Sequence, residues 1–137
     1  MATTNSPVES AFLVEEKVHI VWFKRDLRVV DHRALNDAAE RGPVLPLFVV
    51  EPELWRQPDM SARQWSFVAE ALQDLRSDLA DLGQPLIVRN GSIIDTLSSL
   101  NQQFVLAGLW SHEETGNHWA YSRDRAVRSW CRQNGVP

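Results

Sequence analysis

The chain has 137 residues, a formal net charge of −4 and 44% hydrophobic residues. That length suits one domain of the usual ~100–200 residues, and the acidic balance argues against a dedicated nucleic-acid-binding module, which is ordinarily basic. Cys131 is the only cysteine, so neither an intramolecular disulfide nor a multi-cysteine zinc site can form.

The opening MATTNSPVESAFLVEE has no basic n-region, and its AFLV run is shorter than a signal-peptide core. Residues 1–16 read as a disordered tail. No stretch approaches the ~20 apolar residues of a membrane span, so the expected location is the cytoplasm.

VHIVWF (18–23) has too few polar positions for a strand with one wet face and reads as a central strand covered on both sides. Asp31 is placed to cap the next helix, whose inner face carries Leu35, Ala38 and Ala39. Gly42-Pro43 stops it, as a C-cap followed by a helix breaker. VLPLFVV (44–50) is the second strand. Pro46 lacks a ladder donor, so strand pairing is expected to begin near it.

Ser61 and Gln64 form a capping box, and Trp65, Val68, Leu72, Leu75, Leu79 and Leu82 follow at helical spacing until Gly83. PLIVR (85–89) is the third strand and Asn90-Gly91 a turn. Ser92 with Asp95 marks another cap, and Ile93, Ile94, Leu97 and Leu100 face inward. VLAGLWSH (105–112) is the fourth strand. The last helix spans about 119–134, with Trp119, Ala120, Ala126, Val127, Trp130 and Cys131 inside and Arg125, Arg128 and Arg132 on the wet face. Asn134-Gly135 should then feed a fifth strand, so the chain reads as truncated before it.

Strands alternating with helices over short loops imply parallel strands, right-handed crossovers and an open, doubly wound α/β sheet, a Rossmann-like three-layer sandwich. Ligands of such sheets bind outside the carboxyl ends of the strands. Two loops lie there, residues 24–31 with Lys24, Arg25, Asp26, Arg28 and Asp31, and residues 112–118, HEETGNH. With strand order 3-2-1-4 they flank one crevice. The same charges are equally compatible with solvation, or with Arg25 or Arg28 pairing to Asp26 or Asp31. The spacing H-E-E-x-x-x-H is not the H-E-x-x-H that sets two histidines on one helical face, so no metal site is assigned. Core packing explains Trp22, Trp65, Trp110, Trp119 and Trp130, and Trp55 stays open. There is no G-x-G-x-x-G, P-loop or G-x-S-x-G motif and no nucleophile–base pair.

VWFKRDLRVVDHRAL (21–35) resembles the opening of the photolyase/cryptochrome family, whose members commonly read W-F-R-R-D-L-R-x-x-D-N-P-A-L. The likeness continues, collinearly, through VLPLFVVEP, SARQWSF, LGQPLIVRNG and SRDRAV, over about residues 18–135. The resemblance implies that residues 17–137 are the N-terminal α/β domain of a larger protein. A helical domain absent from this chain would bind FAD and contact damaged DNA. It further implies a second, antenna chromophore (folate, deazaflavin or flavin) held by the α/β domain, which passes excitation to FAD. Light-driven splitting of pyrimidine dimers is then the larger protein's function, with a blue-light cryptochrome as the first alternative and a stand-alone nucleotide-binding α/β module as the second. Harvesting a photon needs no acid, base or nucleophile, so no catalytic residue is expected here. The candidate antenna-crevice residues are Lys24, Arg25, Asp26, Arg28, His112, Glu113, Glu114 and Asn117. The chain departs from the family pattern at His32-Arg33, where Asn-Pro is common. It departs again at Trp119-Ala120, where folate-binding members have Asn-Glu, and at Thr115 and Asn117, where deazaflavin-type members have acidic residues. Neither DNA nor a membrane is an expected partner of this domain alone.

Overall fold

A computed structural model describes residues 17–112 and 117–137. The elements run β1 (Lys17–Phe23), α1 (Arg33–Arg41), β2 (Val44–Val50), α2 (Pro52–Trp55), α3 (Ala62–Asp81), β3 (Ile87–Asn90), α4 (Ile93–Gln103), β4 (Val105–Trp110) and α5 (His118–Asn134). The four strands are parallel in the order β3-β2-β1-β4. β1 is thus paired on both sides, and Val18 to Phe23 are all buried. Successive side chains of a strand point to opposite faces, which divides the core in two. Val21, Phe23 and Phe48 pack under Leu35 and Ala38 of α1 and Leu75 and Leu79 of α3. Ile20, Trp22, Leu47 and Ile87 pack under Leu97 and Leu100 of α4 and Val127 and Trp130 of α5. Helices on both faces complete the expected doubly wound sheet. No helix among the described residues is long and apolar enough to cross a membrane.

Several local expectations change. Asp31 does not cap α1: it takes a left-handed backbone conformation, φ 53°, which aspartate tolerates better than most residues. The cap passes to His32, whose extended backbone suits it and whose Nδ1 accepts the Leu35 N–H at 3.0 Å. The pairing of β1 with β2 runs from Val44 straight through Pro46. β3 joins the other edge only from Leu47, so the missing proline donor interrupts no ladder. β3 itself starts at Ile87 rather than at Pro85.

The capping box of α3 is present, with Gln64 N–H to Ser61 Oγ at 3.2 Å and Ser61 N–H to Gln64 Oε1 at 2.7 Å. Its apolar stripe, however, is buried only at Leu75 and Leu79, while Trp65 is 37% and Leu82 63% exposed. A 20-residue helix is ~30 Å long and a seven-residue strand only ~23 Å, so α3 overhangs the sheet. Trp65 therefore leaves the set of core tryptophans, and Trp110 and Trp119 are only half-buried. Ala39 and Ala126 are exposed, and Arg123 takes the inward position on α5. After α5 the left-handed Gly135 turns the chain, Val136 is buried, and the Pro137 carbonyl accepts the Leu109 N–H at 3.1 Å.

Candidate functional site

The exits of β1 and β4 meet, as the strand order requires. Asp26 Oδ2 lies 2.6 Å from His32 Nε2 and 2.9 Å from His112 Nδ1. The two imidazoles stack at 4.3 Å between centroids. Asp26 Oδ1 accepts the Lys24 N–H at 2.9 Å. The far nitrogen of each ring accepts an N–H from the first turn of α1: His32 Nδ1 from Leu35, and His112 Nε2 from Ala34 at 3.3 Å. A neutral imidazole has one proton, so each ring must present its N–H to Asp26. The contacts to Oδ2 are bent away from the N–H axes, so the pairing is more electrostatic than a well-aligned hydrogen bond. Burial raises the Asp26 pKa, but the donors at His32 and the Lys24 amide outweigh it and bring the pKa from 3.8 down to about 2.

These three side chains have the donor types of a metal site and lie within 4.8 Å of one another. Their hydrogen bonding counts against that use. A metal-bound histidine ordinarily donates its other N–H outward, whereas here the outward nitrogens are acceptors. The cluster is a latch that ties the β4 exit to α1.

The open crevice lies on the other side of the β1 exit, outside the carboxyl ends of β1 and β2 and beneath the overhanging half of α3. Its volume is about 390 Å³, within the ~300–1,000 Å³ of small-molecule sites. Phe23, Phe48 and Val49 line it from the sheet, Leu54, Trp55 and Met60 from α2 and the following loop, and Phe67, Val68 and Ala71 from α3. Exposed positive charge comes from Arg25 and Arg63, with Glu51 and Arg123 also in the lining; Lys24 borders the crevice too, but its ammonium is paired with Asp124.

Glu51 and Arg123 form a buried ion pair at 2.8 Å, with side chains 6% and 5% exposed. Arg123 also reaches Asp124 at 3.0 Å, and its guanidinium lies over Trp22 at 4.9 Å and over Trp119 at 5.5 Å. Lys24 joins the network through Asp124 at 3.3 Å and through the Trp22 ring at 4.7 Å. A second cavity of about 550 Å³, between α2, α4 and α5, has the same Glu51 and Arg123 in its wall. The ion pair is the partition between the two.

The residues singled out from sequence therefore separate. Lys24 and Arg25 border the crevice. Asp26 and His112 belong to the latch. Arg28 donates to the carbonyls of Val30 at 3.1 Å and Asp31 at 3.2 Å, bracing the turn before α1. Asn117 caps α5 by accepting the Ala120 N–H at 2.8 Å, and donates to Asp59 at 2.9 Å. Glu113 and Glu114 lie outside the described residues. Sequence reasoning missed His32, Glu51, Trp55, Arg63, Phe67 and Arg123. One signal was available: Arg123 falls in register with Ala120, Val127 and Trp130, and a charge on an apolar stripe needs a buried partner.

The DNA photolyase family model matches residues 19–137. The chain is 34% identical over 105 residues to the chloroplastic/mitochondrial cryptochrome DASH of Arabidopsis thaliana, covering 72% of this chain and 18% of that protein. It is 35% identical over 100 residues to the deoxyribodipyrimidine photo-lyase of Salmonella typhimurium, covering 67% of this chain and 21% of that protein. Among solved structures, the archaeal photolyase of Sulfolobus tokodaii superimposes with a TM-score of 0.76 at 30% identity, covering 87% of this chain and 28% of that one. That structure is described as holding two FAD molecules, with the implication of a novel light-harvesting cofactor. The chain thus spans roughly a fifth to a quarter of these relatives' length. It belongs to the DNA photolyase family, as an N-terminal α/β domain of the kind found in photolyases and cryptochromes.

Proposed function

We propose that this domain is the light-harvesting module of a photolyase-like flavoprotein, holding an antenna chromophore in the crevice beneath α3. The observation that carries this reading is the crevice itself. It is an apolar slot floored by Phe23, Phe48 and Val49, walled by Trp55 and Phe67, and rimmed by Arg25 and Arg63. A planar aromatic ring system buries its faces in such a slot, and a phosphate or carboxylate tail meets the cations at the mouth. Its side chains suit holding and orienting a ring system rather than making or breaking bonds. When bound, the chromophore supplies light absorption; Glu51 and Arg123 form part of its cavity wall.

In the larger protein, a helical domain would hold FAD, receive the excitation and contact damaged DNA, and the repair of pyrimidine dimers is the function we assign to it. A cryptochrome, in which the same photochemistry drives signalling, is the second reading, favoured by the likeness to cryptochrome DASH. Equilibrium dialysis of the chain against riboflavin 5′-phosphate, a deazaflavin, a methenylated folate and ATP tests the antenna reading. Retention of one of the three pigments with a shifted absorption band is the expected result. Retention of ATP alone would identify a nucleotide-binding module instead. Dimer repair by the complete protein in light, set against none in the dark, separates photolyase from cryptochrome.

A further inference from the structure

The helices on the two faces of the sheet carry rows of opposite charge. On α5, Arg125, Arg128 and Arg132 are exposed, with the exposed Tyr121 one turn before them. Steps of four, three and four residues keep these side chains on a single stripe. Asp124, the one carboxylate of α5, is drawn away from it by Arg123 at 3.0 Å and Lys24 at 3.3 Å. The Arg125 guanidinium lies along the stripe, 6.0 Å over the Tyr121 ring. On α3, Glu70, Asp74 and Asp78 follow at steps of four on the exposed side, and Leu82, 63% exposed, continues the row. None of these three acids is in an ion pair among the described residues. Like charges at such spacing repel along a helix. Each row therefore destabilises its own helix, and an opposite row laid against it removes the penalty.

The two rows agree in length and register. Set antiparallel, α5 and α3 bring Arg125 to Asp78, Arg128 to Asp74, Arg132 to Glu70 and Tyr121 to Leu82, over about 16–18 Å of helix. Within one molecule the rows cannot meet, because α3 covers one face of the sheet and α5 the other. We propose that the arginine row of α5 docks on the acidic row of α3 in a second copy of this chain. The contact is head-to-tail. A copy donates with one face and receives with the opposite one, so no two-fold pair closes and further copies can add. An extended polyanion would meet the arginines alone. The net charge of −4 opposes both occupants, and only the second copy answers both rows and both exposed apolar residues. Exposed ion pairs are individually weak and screened by salt. Rows of this length also cover less than the ~1,200 Å² of a stable interface, so the association is reversible and confined to low salt and concentrated protein.

Sedimentation velocity of the 137-residue chain reads the association. The wild-type coefficient should climb with concentration past that of a dimer at ~20 mM salt and stay monomeric at ~500 mM. Two variants, Arg125→Gln with Arg132→Gln and Asp74→Asn with Asp78→Asn, change exposed positions only. Each alone should stay monomeric with an unchanged melting temperature; if one does not fold, loss of association in the other decides. Their equimolar mixture should form dimers and nothing larger, since one variant keeps only the acidic row and the other only the arginine row. A wild type that is monomeric at low salt overturns the proposal. So does wild-type association in either folded variant, or a mixture that stays monomeric. A wild-type dimer that adds no further copies overturns the head-to-tail contact. A monomeric wild type that retains a single-stranded oligonucleotide, with retention lost in the arginine variant, gives the row to phosphates and overturns self-docking.

Discussion

Asp26 and His112, from the exits of two neighbouring strands, share a contact of 2.9 Å in which one carboxylate oxygen also faces His32. The carboxylate is stable in its charged form because it has imidazole N–H groups on two sides and the Lys24 amide on a third. Its folded pKa, about 2, lies below the 3.8 of the unfolded chain. The stabilisation is therefore complete above about pH 4 and is lost as pH falls towards 2, and its size is roughly 2 kcal/mol. Asp26→Asn should lower unfolding stability at neutral pH by about that amount and flatten the acid limb of the stability profile, read by urea unfolding between pH 2 and 7. An acid limb identical to that of wild type would mean that another carboxylate sets it.

The Glu51–Arg123 pair is buried at both ends. Removing one partner of such a pair typically costs ~3–5 kcal/mol, whereas replacing both with apolar residues of similar size can be close to neutral. Glu51→Gln should therefore destabilise strongly. The double variant Glu51→Leu with Arg123→Met should recover part of the loss while joining the two cavities. Urea unfolding of the single and double variants measures the coupling.

Gly108 stands opposite His19 on β1. A Cβ there would come within 3.0 Å of Trp110 Nε1 and 3.1 Å of His19 Nδ1, atoms that are hydrogen-bonded to each other at 3.1 Å. Gly108→Ala should therefore cost about 1–3 kcal/mol, the range for overpacking. Burial and then the nearby Arg41 charge lower the His19 pKa below 6.5. The unfolded chain therefore takes up this proton first, and the contribution of His19, present above about pH 6.5, falls as pH drops below it. Thermal melts from pH 5 to 8 should show this slope in wild type and lose it in His19→Gln.

Phe67 is 74% exposed, whereas Leu75, two turns further along α3, is fully buried. Leu75→Ala should cost ~2–5 kcal/mol by opening a cavity under the helix. Phe67→Ser, away from the packed core, should change stability by no more than about 0.5 kcal/mol. If the crevice holds a chromophore, the same Phe67 change together with Arg63→Glu should weaken its retention in dialysis by well over an order of magnitude without moving the melting temperature. Equal retention in that double variant would place the ligand elsewhere.

The sheet was legible because its signals are local. An apolar run at 18–23 broken only by His19 reads as a strand buried on both faces, and Ser61 with Gln64 names the start of α3 from four residues. The strand order 3-2-1-4 entered the sequence reading as a condition, and the sheet has it. What stayed hidden depends on pairings far apart in the chain. Nothing near Asp31 shows that His32 will be drawn inward by Asp26 and His112, leaving Asp31 to make the left-handed turn. Nothing within α3 shows where the sheet beneath it ends, so Trp65 and Leu75 look alike in sequence and differ in burial. Likewise the crevice opened beside β2 rather than beside β4, because the β1–β4 side is filled by the imidazoles of His32 and His112.

The placement of β1 between β2 and β4 has a kinetic consequence. Its amides can exchange with solvent only when the whole sheet opens, so the latch residues that hang from its carboxyl end should persist until global unfolding. The outer turns of α3, held by few buried side chains, can fray on their own. Deuterium uptake should accordingly be early around Trp65 and Phe67 and late from Val18 to Phe23, which would make admission to the crevice a local event that leaves the rest of the domain folded.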